Sequence, residues 1–323
     1  MTAPATHLVA VGIDLGGTAI KGGLVSADGA ASDTSSIATE AERGPDHVLA
    51  RIADLIGTLR ASATAQRRQV IGVGIGAPGI LSHKLGRVIA PPNLPGWRNV
   101  PVVERLSKAT GLRVVLENDA NNAAYGEFIR GAGRGTRNMV LLTVGTGVGG
   151  GVILDGRLFR GAFENAGELG HTIVQVGGRL CGCGQRGCLE AHASATSMVA
   201  RATEAIQSSR TSILAATLKS AGRLDARDIA AAASGDAVAV EAWTETCRYL
   251  AVACINIQHA FNPEGVVFAG GVSEAGAPLL DTIRQQYESQ ASRMLGPPPD
   301  IRLAELGNQA GLVGAGLSAF VDE

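Results

Sequence analysis

Apolar positions alternate with small or polar ones over residues 8–14, through Val9, Val11 and Ile13, and resume at Ile20, Leu24 and Val25 beyond Gly16-Gly17. Period-two alternation on both sides of a glycine pair predicts a β-hairpin, with a second turn at Asp28-Gly29. Residues 48–59 carry helical spacing, and 70–75 read as a buried strand ending at Gly76-Ala-Pro-Gly79. The proline-rich stretch 81–101, with Gly96-Trp97, predicts a long loop. A strand over 113–116 leads through Glu117-Asn-Asp119 to a helix over 120–129, and a second glycine-rich hairpin spans 139–154. Farther on, helices are expected over 193–206 and 236–261, a strand over 265–268 stopping at Gly270-Gly271, and a closing helix over 310–320.

Two of these segments echo one another. Asp14-Leu-Gly-Gly-Thr18, followed by Gly22-Gly-Leu-Val-Ser-Ala-Asp-Gly29, is matched by Val144-Gly-Thr-Gly147, followed by Gly149-Gly-Gly-Val-Ile-Leu-Asp-Gly156. Each is strand, glycine turn, strand, second turn, the mark of a duplicated unit. A chain of 323 residues exceeds the usual single-domain size, so two like lobes facing a common cleft are expected.

With 46% hydrophobic residues there is ample core material. A net charge of −1 and a pI near 6.6 offer no footprint for nucleic acid or an anionic membrane surface. The opening residues lack a basic, then apolar, cleavable leader, and no apolar run reaches the roughly 18 residues of a membrane span. The expectation is a cytoplasmic protein. Five cysteines do not form a disulfide framework, and Cys247 and Cys254, seven apart in a helical pattern, read as core packing.

The remaining three cysteines stand in Cys181-Gly-Cys183-Gly-Gln-Arg-Gly-Cys188-Leu-Glu190, ten residues after a Glu168-Leu-Gly-His171 pair. His171, Cys181, Cys183 and Cys188 have the ligand types and count of a closed structural Zn²⁺ site, with Glu168 and Glu190 flanking it. His192 is a rival ligand whose place beside Glu190 favours a surface role, and the other histidines carry no such neighbourhood. Gly74-Ile-Gly76-Ala-Pro-Gly79 and Gly145-Thr-Gly147-Val-Gly-Gly150 both satisfy G-x-G-x-x-G, but a dinucleotide fingerprint needs a helix opening at the turn. A loop follows the first and a strand the second, so both read as hairpin or strand-end turns. The N–H groups of the two hairpin turns, Gly16-Gly17 and Gly145 to Gly150, with the Thr18 and Thr146 hydroxyls, can either close tight turns or meet phosphate oxygens. Asp119 can cap the helix that follows it or accept a proton; spacing alone leaves both open.

In order along the chain, Asp14-Leu-Gly-Gly-Thr18, Gly76-Ala-Pro-Gly79, Asn93-Leu-Pro-Gly-Trp97, Glu117-Asn-Asp-Ala120, Gly145-Thr-Gly-Val-Gly-Gly-Gly151, Gly167-Glu-Leu-Gly-His171 and the cysteine string resemble the motifs of the ROK family of sugar kinases and repressors. The resemblance covers nearly the whole chain. It implies the α/β actin-like ATPase (ribonuclease H-like) fold, two lobes around a cleft. Residues 1–118 would form a small lobe, onto which a C-terminal helix at about 307–323 packs back, and 119–306 a large lobe with the zinc site.

The activity implied is ATP-dependent phosphorylation of glucose at its 6-hydroxyl. N-acetylglucosamine, N-acetylmannosamine or fructose as acceptor, and polyphosphate as donor, are the alternatives. The family's repressors carry a winged helix-turn-helix before the kinase-like body, and the Asp14 motif stands too near the N-terminus for one. Asp119 occupies the family's catalytic-base position. Asn118, Glu168, His171, Glu190 and Gly79 would bind sugar, with His171 shared between metal and substrate. Asp14, Gly16, Gly17, Thr18, Gly145, Thr146, Gly147, Gly270 and Gly271 would serve ATP and Mg²⁺, and Lys21 is either a phosphate contact or a solvated lysine. Partners are the sugar and nucleotide, with a homodimer or homotetramer expected.

Overall fold

The structure, a computed structural model, describes residues 7–321 except 92, 293 and 295. Residues 1–6 and 322–323 of the expected lobe boundaries, and Pro92 of the expected loop, lie outside the described residues.

The chain opens with β1 (Leu8–Leu15), β2 (Ala19–Ser26) and β3 (Ala31–Ala38), then α1 (Gly44–Ala65) and β4 (Gln69–Ala77). A small hairpin, β5 (Ile80–Ser82) and β6 (Arg87–Ala90), precedes α2 (Val102–Thr110), β7 (Val114–Asn118) and α3 (Asp119–Arg130). The second half runs β8 (Met139–Val144), β9 (Val148–Leu154) and β10 (Arg157–Leu158), then α4 (Leu189–Ala193), α5 (Ala195–Gln207), α6 (Leu214–Ala221), α7 (Ala226–Ala232) and α8 (Ala237–Phe261). It closes with β11 (Gly265–Ala269), α9 (Ala277–Gln290), β12 (Asp300–Leu303) and α10 (Ala310–Ser318).

The echo in the sequence is a duplication in the topology. One sheet has the order β3-β2-β1-β4-β7 and the other β10-β9-β8-β11-β12. In each, a β-meander pairs antiparallel and two later strands add in parallel beside its first strand. A doubled sheet of this order, with helices on its faces, is the actin-like ATPase architecture expected from the sequence. Each unit's last helix crosses over: α3 packs on β8 and β9, while α10 packs on β1, β2 and β4, and the two helices lie against one another. The approach of α10 is close enough that a Cβ at Gly74 would stand 1.6 Å from the carbonyl oxygen of Ala315.

Separate apolar cores back the two sheets. One joins Val9, Val11 and Ile13 of β1 to Ile52, Ile56 and Leu59 of α1; the other gathers around α8, whose Trp243, Leu250 and Cys254 are buried. Asp236 caps α8 by accepting from the Ala239 N–H at 3.0 Å.

Three expectations need correction. The stretch 81–101 is not one loop, since it holds most of the β5–β6 hairpin; Val88 further bridges Val100. The helix expected over 193–206 is α5, but it begins at Ala195: Ala193 ends the separate α4, and the Ser194 side chain between them accepts from the Ser197 N–H to start α5. His192 is buried rather than at the surface. Its Nε2 accepts from the Arg179 N–H at 3.2 Å, and its ring lies 4.5 Å from that of Tyr249. Burial and the neighbouring Arg201 and Arg179 guanidinium groups hold its pKa below the ordinary value, which suits an acceptor nitrogen.

Candidate active site

The chemistry gathers where β7 ends and α3 begins. Asn118, in extended conformation, caps the helix: its Oδ1 accepts from the N–H groups of Ala120 at 2.9 Å and Asn121 at 3.2 Å. The capping role left open for Asp119 therefore falls to its neighbour, and Asp119 becomes the first helical residue. With Oδ1 engaged, Asn118 has its Nδ2 group to offer, which now donates to Gly79 O at 3.4 Å. Beneath the pair, buried Glu117 accepts from Arg160 Nε at 2.6 Å, the Asn118 N–H at 2.9 Å and Asn121 Nδ2 at 2.9 Å, anchoring the strand end.

Asp119 lies between two cavities. One, of about 290 Å³, is lined by Asp14, Lys21, Asp119, Gly270, Asn308 and Gly311 among others. The other, of about 330 Å³, is lined by Gly79, Asn118, Asp119, Glu168, His171 and Glu190, together with Gly145, Thr146 and Gly147. Asp119, Ala120, Thr143 and Gly270 border both. Burial raises the Asp119 carboxyl first, and the nearby negative charges of Asp14 and Glu168 add to it; a hydrogen bond from the Ala120 N–H opposes them. The result is a pKa of about 6. Asp14 is likewise raised by burial, with Lys21 Nζ at 3.9 Å pulling the other way.

Some expected residues stand elsewhere. Gly16, Gly17 and Thr18 line neither cavity: the Gly16 N–H donates to Ala19 O at 3.0 Å and Gly17 lies against Asn93. Gly271 borders a third, smaller cavity of about 200 Å³ with Met198, Trp243 and Val272. Asn93 and Thr143, which sequence reasoning did not single out for the site, line the Glu168 cavity. Asn93 stands within a motif quoted above, so a signal for it was present; Thr143 reads only as a strand residue.

The four metal-ligand candidates converge. One donor atom from each of His171, Cys181, Cys183 and Cys188 lies within 4.8 Å of all the others. Cys183 Sγ is 3.7 Å from Cys188 Sγ, and Cys181 Sγ 3.7 Å from His171 Nδ1. Tetrahedral coordination with Zn–S near 2.3 Å separates neighbouring sulfurs by about 3.8 Å, so the donor set fits a structural zinc ion. The fold makes this geometry with a tight turn in which the Cys181 N–H donates to Gln185 O, and with a bridge between Ile173 and Cys188. Because His171 turns Nδ1 toward the sulfurs, Nε2 is left for the cavity that His171 lines.

Cys188 directly precedes α4, and Glu190 on its first turn enters the same cavity. Glu190 Oε2 accepts from the Val148 N–H at 3.0 Å. A Cβ at Gly147 would lie 2.3 Å from that oxygen, so the glycine in this turn makes room for the carboxylate. The four-donor cluster, the glycine turn and the carboxylate thus form one connected wall.

Residues 10–320 match the ROK family. A glucokinase of Halalkalibacterium halodurans is 40% identical over 308 residues, which is 95% of this chain and 93% of that protein. A solved ROK hexokinase from Thermus thermophilus superposes with a TM-score of 0.84 at 35% identity, covering 97% of this chain and 98% of its own. A ROK family glucokinase from Streptomyces griseus, solved in complex with glucose and AMPPNP, gives 0.78 at 35% identity, with coverage of 95% and 98%. A match that runs from the first strand to the last helix at this level of identity leaves one conclusion: the chain belongs to the ROK family.

Proposed function

We propose that the protein is an ATP-dependent sugar kinase that transfers the γ-phosphoryl group to the 6-hydroxyl of glucose, with Asp119 as general base. The observation that carries this reading is Asp119 itself, a carboxylate buried at the junction of two cavities and lifted to a pKa of about 6. A base of that pKa is ionised at neutral pH yet accepts a proton far more readily than an exposed carboxylate. The names of the relatives, and the glucose and AMPPNP in the Streptomyces griseus structure, support the choice of substrates.

On this reading the Glu168 cavity takes the sugar. Glu168 and Glu190 accept from its hydroxyls, Asn118 donates through Nδ2, and His171 contributes Nε2. The Asp14 cavity takes the triphosphate. As the sugar oxygen attacks the γ-phosphorus, its proton passes to Asp119, the bond from phosphorus to the bridging oxygen breaks, and ADP leaves. The Asp14 carboxylate, a hard oxygen donor, suits Mg²⁺, which when bound to the phosphates would neutralise charge developing on them. Zinc held by His171, Cys181, Cys183 and Cys188 would fix the wall bearing Glu190 and orient the His171 ring. Of the glycine-turn residues, Gly270 borders both cavities and Gly145, Thr146 and Gly147 line the sugar side, and these four are proposed as the backbone that faces the phosphoryl group in transfer; Gly16, Gly17, Thr18 and Gly271, expected to serve the nucleotide, line neither cavity.

We further propose that residues up to 118, joined by α10, move as one lobe, and 119–306 as the other. Among the described residues no helix is long and apolar enough to cross a membrane, and ATP-dependent chemistry suits a cytoplasmic location. Exposed Ile173, Val176 and Leu180 beside the metal cluster offer apolar surface for a homodimer or homotetramer. The functional reading is tested by initial rates of ADP formation with ATP and glucose. Turnover by the wild-type protein that falls a thousandfold or more in Asp119→Asn supports it; absence of glucose-dependent ADP formation contradicts it.

A further inference from the structure

Glu127 lies two turns beyond Asp119 on α3 and takes no part in the chemistry above, yet it is fully buried. A carboxylate withdrawn from water survives only where hydrogen bonds replace its hydration. Three backbone N–H groups do so here. Oε2 accepts from Ala132 at 2.8 Å and Glu305 at 3.0 Å, and Oε1 from Leu306 at 2.7 Å.

Two of these donors belong to the turn joining β12 to α10. Ala304, Gly307 and Asn308 of that turn line the Asp14 cavity, and none of them lines the Glu168 cavity. Further ties join β12 and the turn after it to the segment that follows α3: Arg302 donates to Ala132 O at 2.6 Å, and Arg134 pairs with Glu305 at 3.0 Å. The exposed Arg134 pair contributes little on its own. The Glu127 carboxylate is the buried member of the set and the one that grips two successive amides of the turn.

We infer that Glu127 is a positioning residue that fixes the 304–308 turn at a set distance from Asp119. The helix serves as the ruler: eight residues at about 1.5 Å per residue place Glu127 roughly 12 Å along α3 from Asp119. Loss of this grip loosens one wall of the triphosphate cavity and leaves the sugar cavity untouched. The inference rests on the proposed reading of the Asp14 cavity as the nucleotide end.

The test is steady-state kinetics of Glu127→Gln, which keeps the side chain's shape but replaces one acceptor oxygen with a donor. Expected are an ATP KM about tenfold higher and a glucose KM within twofold of the wild-type value. A residue that serves stability alone would lower the melting temperature and move both KM values together or neither; either pattern overturns the inference. Glu127→Asp, which retains the charge one methylene short, should give an intermediate ATP KM. Should Glu127→Gln fail to fold, the Asp variant decides by thermal shift: AMPPNP stabilisation should be weakened with glucose stabilisation kept, and equal loss or full retention of both overturns the proposal. A wild-type protein that does not turn over ATP would sink the functional reading instead, independently of the variants.

Discussion

At the scale of single residues, the raised pKa of Asp119 has two opposite consequences. In the proposed role of general base Asp119 must be the anion, so kcat/KM should fall tenfold per pH unit below about 6. Burial contributes most to that limb, but Glu168 adds to it, so Glu168→Gln should move the limb to lower pH. An unmoved limb would remove the coupling. For stability the sign reverses. A folded-state pKa above the ordinary 3.8 gives a contribution present in full below that value and lost as pH rises through about 6. Asp119→Asn cannot ionise, and should therefore stabilise the ligand-free protein at pH 8 by about 1 to 3 kcal/mol, with a smaller gain at pH 5. Denaturant unfolding at both pH values checks this, and a variant less stable at pH 8 would contradict it. The Asn118-Asp119 pair was legible in the sequence, although which of the two caps the helix was not. His192 and Glu127 were illegible for a different reason. A polar residue in a helical pattern reads as solvent-facing unless its partners are known, and theirs are Arg179, Ala132, Glu305 and Leu306, none on the same helix.

At the scale of elements, the cysteine string and the glycine turn act as one wall. Cys183→Ser removes a thiolate from the four-donor set, and should lower both zinc content and glucose affinity because His171 and Glu190 lose their support. Elemental analysis beside glucose titration decides it: a metal-free protein of full affinity would contradict a structural zinc. Gly147→Ala probes the other half of the wall. Its methyl group meets Glu190 Oε2, so the glucose KM should rise at least tenfold, and an unchanged value would show that Glu190 is not held there for sugar. Elements with strong period-two or helical patterns were readable in advance, including both glycine hairpins and α8. Those that escaped had their signal masked. β3 is a mostly exposed edge strand of serine, threonine and aspartate, polar as edge strands often are. The short β5–β6 hairpin leads straight into the prolines, and pairs with its partner through three residue positions.

At the scale of the molecule, duplication gives two like sheets joined by crossed helices, with Asp119 at the start of one of them. Exchange of α3 and α10 between the sheets ties both cavities to the same pair of helices. A sugar that engages Gly79 and Asn118 of one proposed lobe and Asp119, Glu168, His171 and Glu190 of the other should draw the lobes together and exclude water before transfer. Small-angle scattering should show a smaller radius of gyration with saturating glucose, and unchanged dimensions would contradict sugar-driven closure. The duplication was visible in two short glycine-rich strings, because a turn that packs tightly constrains sequence. The helix exchange was not, since it depends on contacts between residues almost two hundred positions apart, such as Asn122 with Ser318. The most direct test of the whole account is phosphorus NMR of the products formed from ATP with glucose, N-acetylglucosamine, N-acetylmannosamine and fructose in parallel, and from polyphosphate with glucose. The account predicts ADP and a single 6-phosphate ester, formed fastest from ATP and glucose; faster transfer to an N-acetylhexosamine, or transfer from polyphosphate alone, would contradict it.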